Sequence, residues 1–275
     1  MHPFLQVAMT GLALTAAAAA SASVVTGPVF ETFDDPTTDF TLVFDDEDNA
    51  ASGTGPSTGV APGWTIQNGQ AVFYNNSNFF DVGTALVSYA PAPAAVTFNV
   101  SADFDVFQTS SFASGFNYTT ADTGVLAYAD ANVTDSDTFG STGIYAYVKE
   151  INTSGGTYEF RIAINGVVVS ASAATFDLTD GTPDFSIDLA GTPLVGGDLS
   201  VVATLTDENG ANSQVLSTTV LAADLPGGDQ FGVRLAPGFN GYEVGVDNVA
   251  VVVPEPASLA LALGGIALMA ARRRR

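Results

Sequence analysis

Cysteine is absent from this 275-residue chain, so no disulfide staples its fold and no thiol is on hand as nucleophile or metal ligand. Histidine is nearly absent too: the only one is His2. The body of the chain therefore has no imidazole, and acyl-transfer triads and metal hydrolase sites lack their usual parts. No G-x-x-x-x-G-K-[ST] phosphate loop occurs. Positive charge is the third scarcity. Lys and Arg number 7 against 29 Asp and Glu, for a formal net charge of −22. Arg272, Arg273, Arg274 and Arg275 end the chain, which leaves Lys149, Arg161 and Arg234 for everything before them. Such a surface repels nucleic acid and anionic lipid, both of which need a basic face. It suits divalent cations, and it keeps a chain soluble. Helical periodicity is missing as well: between residues 23 and 253 no segment of helical length repeats its apolar residues every 3.6 positions.

What is present is clearest at the two ends. Phe4 to Ala20 is apolar or small with no acidic residue, and Ala20-Ser21-Ala22 fits a signal-peptidase site, with cleavage expected after Ala22. At the other end stand Val253-Pro254-Glu255-Pro256, an uncharged run from Ala257 to Ala271, and Arg272 to Arg275. Pro254 and Pro256 remove two backbone donors and force an extended segment, so the preceding strand must stop there. As a helix the apolar run would reach about 22 Å, short of the ~30 Å hydrocarbon core, and snorkelling arginines with the apolar flank make up the difference. The arginines would hold the C-terminus on the cytoplasmic side, with everything before Pro254 outside.

This order resembles the PEP-CTERM sorting signal of Gram-negative bacteria. The residues that carry the resemblance are Pro254, Glu255, Pro256, the short span and the terminal arginines. It implies export, transient tethering in the inner membrane, processing by signal peptidase at the front and by an exosortase, a membrane transpeptidase, at the tail. It also implies delivery to the outer surface or the exterior of hosts that usually make exopolysaccharide. A plain C-terminal membrane anchor is the alternative. The chain then divides into a signal helix at 1–22, a folded domain at 23–253, and a sorting signal with a transmembrane helix at 254–275.

The folded part is about 230 residues, enough for one large β domain or two small ones. Val29-Phe30-Glu31-Thr32-Phe33-Asp34-Asp35 reads as an opening strand that ends at Pro36. Asp45-Asp46-Glu47-Asp48 is a solvated loop or a calcium loop, although it lacks the Gly and Glu spacing of an EF-hand. Residues 51 to 63, rich in Gly and Pro, form a loop. Trp64 to Ile66 and Gln70 to Tyr74 flank Asn68-Gly69, a hairpin signal. Thr84 to Tyr89 is a further strand. In Val96 to Phe107 the residues Val96, Phe98, Val100, Ala102, Phe104 and Val106 alternate with Thr97, Asn99, Ser101, Asp103 and Asp105. Period two means one dry face and one wet face. Gly124 to Ala131, Ile144 to Ile151, Tyr158 to Ile164, Val167 to Val169, Leu199 to Thr206, Gln214 to Val220, Phe231 to Leu235 and Tyr242 to Val253 complete the series. So many strands with turn signals between them read as an all-β, two-sheet antiparallel sandwich or jelly roll.

The opening Phe30-Glu31-Thr32-Phe33-Asp34-Asp35, the central Gly124 to Asp130 and Gly143 to Val148, and the closing Val246-Asp247-Asn248-Val249-Ala250-Val251 look like the concanavalin A-like lectin/glucanase group of laminin-G-type jelly rolls. The resemblance implies that the first and last strands pair, that the closing strand carries an Asp-Asn-Val-type turn, and that members often bind sugars, sometimes with calcium. A galactose-binding-like sandwich is the competing fold. The glucanases of this group carry a Glu-x-Asp-x-x-Glu strand, which this sequence lacks. Glu150 and Glu159 could approach across a hairpin as the carboxylate pair that glycoside hydrolysis needs, or simply as a solvated cross-strand pair. The expectation is therefore a non-enzymatic protein.

Carbohydrate sites combine aromatic faces with amides and carboxylates. Trp64, Tyr74 and Asn76 lie in a dense local group of these types, and Tyr145 and Tyr147 share a strand face expected to be wet. Core packing is the competing role for each aromatic. Asp247 with Asp34 or Asp35 would form a structural calcium site where the first and last strands meet. The sequence thus leads to an exported matrix or surface protein associated with exopolysaccharide or biofilm, or to a lectin-like module.

Overall fold

The computed structural model describes residues 23–25, 27–33, 40–45, 53–54, 63–67, 69–74, 82–89, 95–108, 122–130, 142–150, 158–174, 184–207, 210, 212–235 and 242–253. The signal and sorting segments and Asp34, Asp35 and Asn76 lie outside these residues. In chain order the strands are β1 (Ser23–Val25), β2 (Val29–Glu31), β3 (Thr41–Asp45), β4 (Gly53–Thr54), β5 (Gly63–Gln67), β6 (Gln70–Tyr74), β7 (Val82–Tyr89), β8 (Phe98–Gln108), β9 (Thr123–Ala129), β10 (Ile144–Glu150), β11 (Tyr158–Ile164), β12 (Val167–Ala174), β13 (Phe185–Pro193), β14 (Leu199–Asp207), β15 (Ser213–Val220), β16 (Gln230–Leu235) and β17 (Tyr242–Val252). No helix occurs among the described residues, so none there is long and apolar enough to cross a membrane.

The strands form two sheets. Sheet A runs β12-β11-β10-β9-β16-β7-β3-β4, with β1 also on β7. Sheet B runs β15-β14-β13-β8-β17-β6-β5, with β2 also on β17. Among the described residues β1 pairs with β7 in parallel, the one departure from an antiparallel sandwich. Alternation decides which face each strand buries. In β8, Phe98, Val100, Ala102 and Phe104 are buried, while Asn99, Ser101, Asp103 and Asp105 are at least partly exposed. In sheet A, β9 and β16 are buried at every position and so are covered on both faces; β9 is near-continuously apolar, whereas β16 also buries Gln230 and Arg234.

The main core lies between the sheets. Phe231 of β16 sits at its centre, fully buried, with ring centroids 5.5 Å from Tyr89, 5.8 Å from Phe98 and 5.2 Å from Tyr128. The Tyr89 hydroxyl shares its one proton between the Gly27 carbonyl at 2.9 Å and that of Val251 at 3.2 Å, which ties both ends of the domain to β7.

The first and last long segments do pair: Val29, Phe30 and Glu31 lie opposite Val251, Ala250 and Val249. The opening strand is shorter than expected, however. It stops at Glu31, because Phe33 turns to a φ of 50° and plugs into the core beside Phe40, with its N–H donating back to Glu31 Oε1 at 2.9 Å. At the other end β17 stops at Val252, one residue before Val253, which is itself buried.

Candidate functional site

On the outer face of sheet B, β8 presents Asp103 and Asp105, and β17 lies against it with Asp247 opposite Asp103 and Gly245 opposite Asp105. The pairing then slips, since Ala250 lies opposite Ser101. One extra residue on β17 makes a β-bulge. Asn248 occupies it with a φ of 50°, a left-handed conformation that Asn tolerates better than most L-residues. Its N–H donates to Asp247 Oδ1 at 2.6 Å, and its Nδ2 donates to Asp103 Oδ2 at 2.9 Å. The bulge thus turns the Asn248 amide back over β8.

A second amide–carboxylate pair lies alongside. Gln70 of β6 donates from Nε2 to Asp105 Oδ2 at 3.1 Å. The strand β17 stands between β6 and β8, and Gly245 there has no side chain to obstruct that reach. These two pairs line a cavity of about 390 Å3, which Asp184, Ser186, Thr206, Asp207 and Asp247 help to close. Asp207 is only 4% exposed and accepts from Asn212 Nδ2 at 2.7 Å, so it braces the β14–β15 turn. Among the described residues, five aspartates and no Lys or Arg line the cavity. Such a lining accepts hydrogen bonds from hydroxyls, offers two amides, and repels anions.

The expected calcium site of Asp247 with Asp34 or Asp35 draws on residues outside the described ones. No group of three His, Cys, Asp or Glu side chains among the described residues is placed to hold a metal ion. Asp247 Oδ1 already accepts from the Asn248 backbone, and Asp34 and Asp35 lie outside the described residues.

The aromatic residues singled out from the sequence fall on two sheets, Trp64 and Tyr74 on sheet B and Tyr145 and Tyr147 on sheet A. Trp64 pairs with Phe73, and Tyr74 with Gly63 and Glu243. Tyr145 and Tyr147 belong to the other sheet. They do share a face, with rings stacked at 4.6 Å and 11° apart, but that face is covered rather than wet. Tyr145 is 3% and Tyr147 1% exposed, within a small cluster with Leu86, Leu126, Ala129 and Ala163. The continuous apolar character of β9 and β10 was the available sign that both faces of these strands are buried. The pair is internal packing and offers no sugar platform.

Around this pair gather Lys149, Arg161 and Arg234. Register sets Arg234, Gly124, Tyr147 and Arg161 in one row across four strands. Arg161 Nη2 meets Glu159 at 2.6 Å, and Lys149 meets Asp122 at 3.3 Å. The Arg234 guanidinium lies 5.9 Å from the Tyr145 ring centroid. Burial pushes the Asp122 carboxyl up, against the pull of Lys149, Arg234 and Arg161. Burial likewise pushes the Tyr147 phenol up to about 12 and that of Tyr145 further.

The expected Glu150–Glu159 pair fails on register. Glu150 lies opposite Tyr158 and Glu159 opposite Lys149, so the two positions fall on opposite faces of sheet A. The register thus does not set the two glutamates opposite one another. The sequence missed the union of Asp103, Asp105, Gln70 and Asn248. The period of β8 put both aspartates on the wet face, but nothing local in sequence says that β17 and β6 lie beside them.

No protein-family model matches the chain, and no curated protein matches it. Solved structures do. A lectin UEA-II complexed with galactose superposes with a TM-score of 0.54 at 14% identity, over 82% of this chain and 98% of that one. Lectin I from Ulex europaeus, in complex with the methyl glycoside of α-L-fucose, gives 0.54 at 14% identity, over 83% and 98%. The Lotus tetragonolobus seed lectin gives 0.52 at 14% identity, over 84% and 100%. At these identities the likeness is one of fold: the domain is a concanavalin A-like jelly roll of two sheets, and not the galactose-binding-like sandwich that stood as its competitor.

Proposed function

We propose that this chain is a non-enzymatic, lectin-like carbohydrate-binding module, exported and sorted through its PEP-CTERM tail to act on exopolysaccharide at the cell surface or in the surrounding matrix. The observation that carries the reading is the sheet B cavity, where Asn248–Asp103 and Gln70–Asp105 hold two amides and two carboxylates side by side. Sugar hydroxyls both donate and accept, and such pairs serve both needs. The acidic lining favours a neutral polysaccharide over a uronate-rich one. The lectin-type fold of the structural neighbours is consistent with this reading.

A polysaccharide pull-down and calorimetric titration with host exopolysaccharides, on the wild type and on Asp103→Ala, tests it. Saturable binding that weakens in the variant supports the reading. No binding to any of them sinks it and favours the second reading, a matrix or surface component without a small ligand. Release of reducing sugar would instead mark a hydrolase. Sorting is tested separately. The tail-bearing protein should be shortened and delivered outward in a host with its exosortase and retained in the inner membrane without it, and identical fates in the two hosts would refute the role of Pro254-Glu255-Pro256. Calcium at Asp247 with Asp34 or Asp35 predicts a melting temperature that falls on chelation, and an unchanged value rejects it.

A further inference from the structure

Large apolar side chains are exposed at turns of this domain, where polar residues are the rule. Val195 in the β13–β14 turn is 103% exposed, Val167 beside the β11–β12 turn 65%, and Leu221 after β15 54%; Leu194 is exposed as well. These three turns lie at one end of the sandwich. Pro193 faces Leu199 across the β13–β14 turn, and Leu199 faces Val220, the residue before Leu221. Asn165 of the β11–β12 turn donates from Nδ2 to the Asp224 carbonyl at 3.1 Å, just past Leu221. The Ala222 N–H donates to Asp198 Oδ1 at 2.9 Å and links the other two. The Val195 tip is firmly built. The Leu194 N–H donates to the Asp198 carbonyl at 2.8 Å, and Gly196 and Gly197 take the φ of 102° and 93° that so tight a turn needs. At the other end of β14 the turn reads Asp207-Glu208-Asn209-Gly210, with no apolar tip.

The last strand leaves the fold at the apolar end. Strands β17 and β13 flank β8, both antiparallel to it, so they run the same way. Val252 faces Asn99, and Asn99 faces Ala190, which sets Val252 and Ala190 level. Val195 comes five residues after Ala190, and Ala257 five residues after Val252. Either stretch reaches at most about 17 Å. Sideways, the two strands are about 10 Å apart. Val253 is buried in the domain, so Pro254-Glu255-Pro256 is the whole tether before the uncharged run from Ala257 to Ala271. Its two prolines favour an extended backbone. A surface that the run enters at Ala257 is therefore level with the tip of Val195.

We propose that this end of the sandwich rests on a lipid bilayer, with Val195, Leu194, Leu221 and Val167 set into its interface. The inference rests on the tail entering a membrane, as proposed above, and adds the orientation of the domain upon it. Aliphatic tips gain from the headgroup boundary in proportion to the area they cover. Charge selects the lipid. Asp198 and Asp224 stand among the tips, and the chain is acidic throughout, so a zwitterionic surface suits it and an anionic one repels it. The sheet B cavity is then held clear of the bilayer. Asp207, which lines it, ends β14 eight residues from Leu199, about 26 Å from the resting face.

Because the chain has no cysteine, one introduced thiol carries one environment-sensitive fluorophore. Full chains labelled at Val195→Cys, at Ser213→Cys on the far end, or at Ala262→Cys in the tail are reconstituted in phosphatidylcholine vesicles, with and without nitroxide-bearing lipid. Blue-shifted emission and severalfold stronger quenching at Val195 than at Ser213 are the expected result. Quenching at Ala262 with none at Val195 overturns the inference and leaves the tail in the membrane. No quenching at Ala262 refutes the insertion of the tail and the inference with it. Contact is told from mere nearness by a label at Leu221→Cys, with and without Val195→Asp. Resting on the bilayer predicts a severalfold loss of quenching in the charged variant, and an unchanged signal from a variant folded by circular dichroism overturns it. So does a blue shift at Val195 already present without lipid, which marks the tail as the cover if it is independent of protein concentration and a second copy if it grows with it.

Discussion

Asn248 carries two loads, one on the backbone and one on the side chain, and a pair of substitutions separates them. Its φ of 50° sits in a region where an alanine would cost about 1–2 kcal/mol. Its amide bond to Asp103 spans 2.9 Å at an exposed site, which puts its worth near the low end of roughly 0.5–1.5 kcal/mol. Asn248→Ala should therefore lose about 1.5–2.5 kcal/mol, the sum of the two. Asn248→Gly keeps the left-handed bulge at no steric cost and loses only the amide and some unfolded-state entropy, about 0.5–1.5 kcal/mol in total. Urea titration followed by tryptophan and tyrosine fluorescence gives both numbers from the shift in midpoint at constant slope. Sugar affinity should order differently: both variants lack the amide, so both should bind weakly although only one is badly destabilised. If the alanine variant is as stable as the wild type, the bulge is not strained as argued. If the glycine variant binds sugar normally, the amide has no part in the site.

Three further outcomes follow from the buried groups. Asp122 has a folded pKa raised by burial, so its contribution to stability is present below the unfolded carboxylate value near 4 and is lost as pH rises through the folded one. Asp122→Asn should thus gain on the wild type as pH rises from about 4 towards 7 in urea midpoints, and a pH-independent difference would contradict this. The phenols of Tyr147 and Tyr89, pushed up to about 12, favour the folded state below the usual tyrosine value and cease to as pH passes through the folded one. Ultraviolet titration should show them ionising together with unfolding, and a smooth titration near 10 in the folded protein would refute their burial. Phe231→Ala empties the centre of the core and should cost about 3–5 kcal/mol by urea titration, with a loss under about 1 kcal/mol excluding that packing.

The sandwich was legible wherever period two was clean and turns were marked. The β5–β6 hairpin formed around Gly69 at a φ of 79°, and the β11–β12 hairpin around Asn165 and Gly166 at 48° and 78°, as their Asn-Gly pairs foretold. The sequence reading named no strand at β1, β3, β4 or β13, and β4 at Gly53–Thr54 lies within the expected loop of residues 51 to 63; β13 is the plainest omission, because Phe185, Ile187 and Leu189 alternate with Ser186, Asp188 and Ala190 as regularly as β8 does. It lies between β8 and β14 at the heart of sheet B. The site was legible only in part, for a physical reason. Alternation tells which side of a sheet a residue takes, but strand order tells which residues become neighbours. Asp103, Gln70 and Asn248 are neighbours because β17, last in sequence, lies beside β8 and β6. Tyr145 and Tyr147 were misplaced because alternation was taken to imply a wet side, whereas sheet A is covered on both at its centre.

The place of β17 also bears on the order of events during folding. It fills the gap between β8 and β6 and holds β2 as well, so sheet B stays split until the final strand has emerged. Such late, distant contacts make for slow closure. Until β17 is in place the two halves of sheet B share no edge, and its insertion is what locks the sandwich shut.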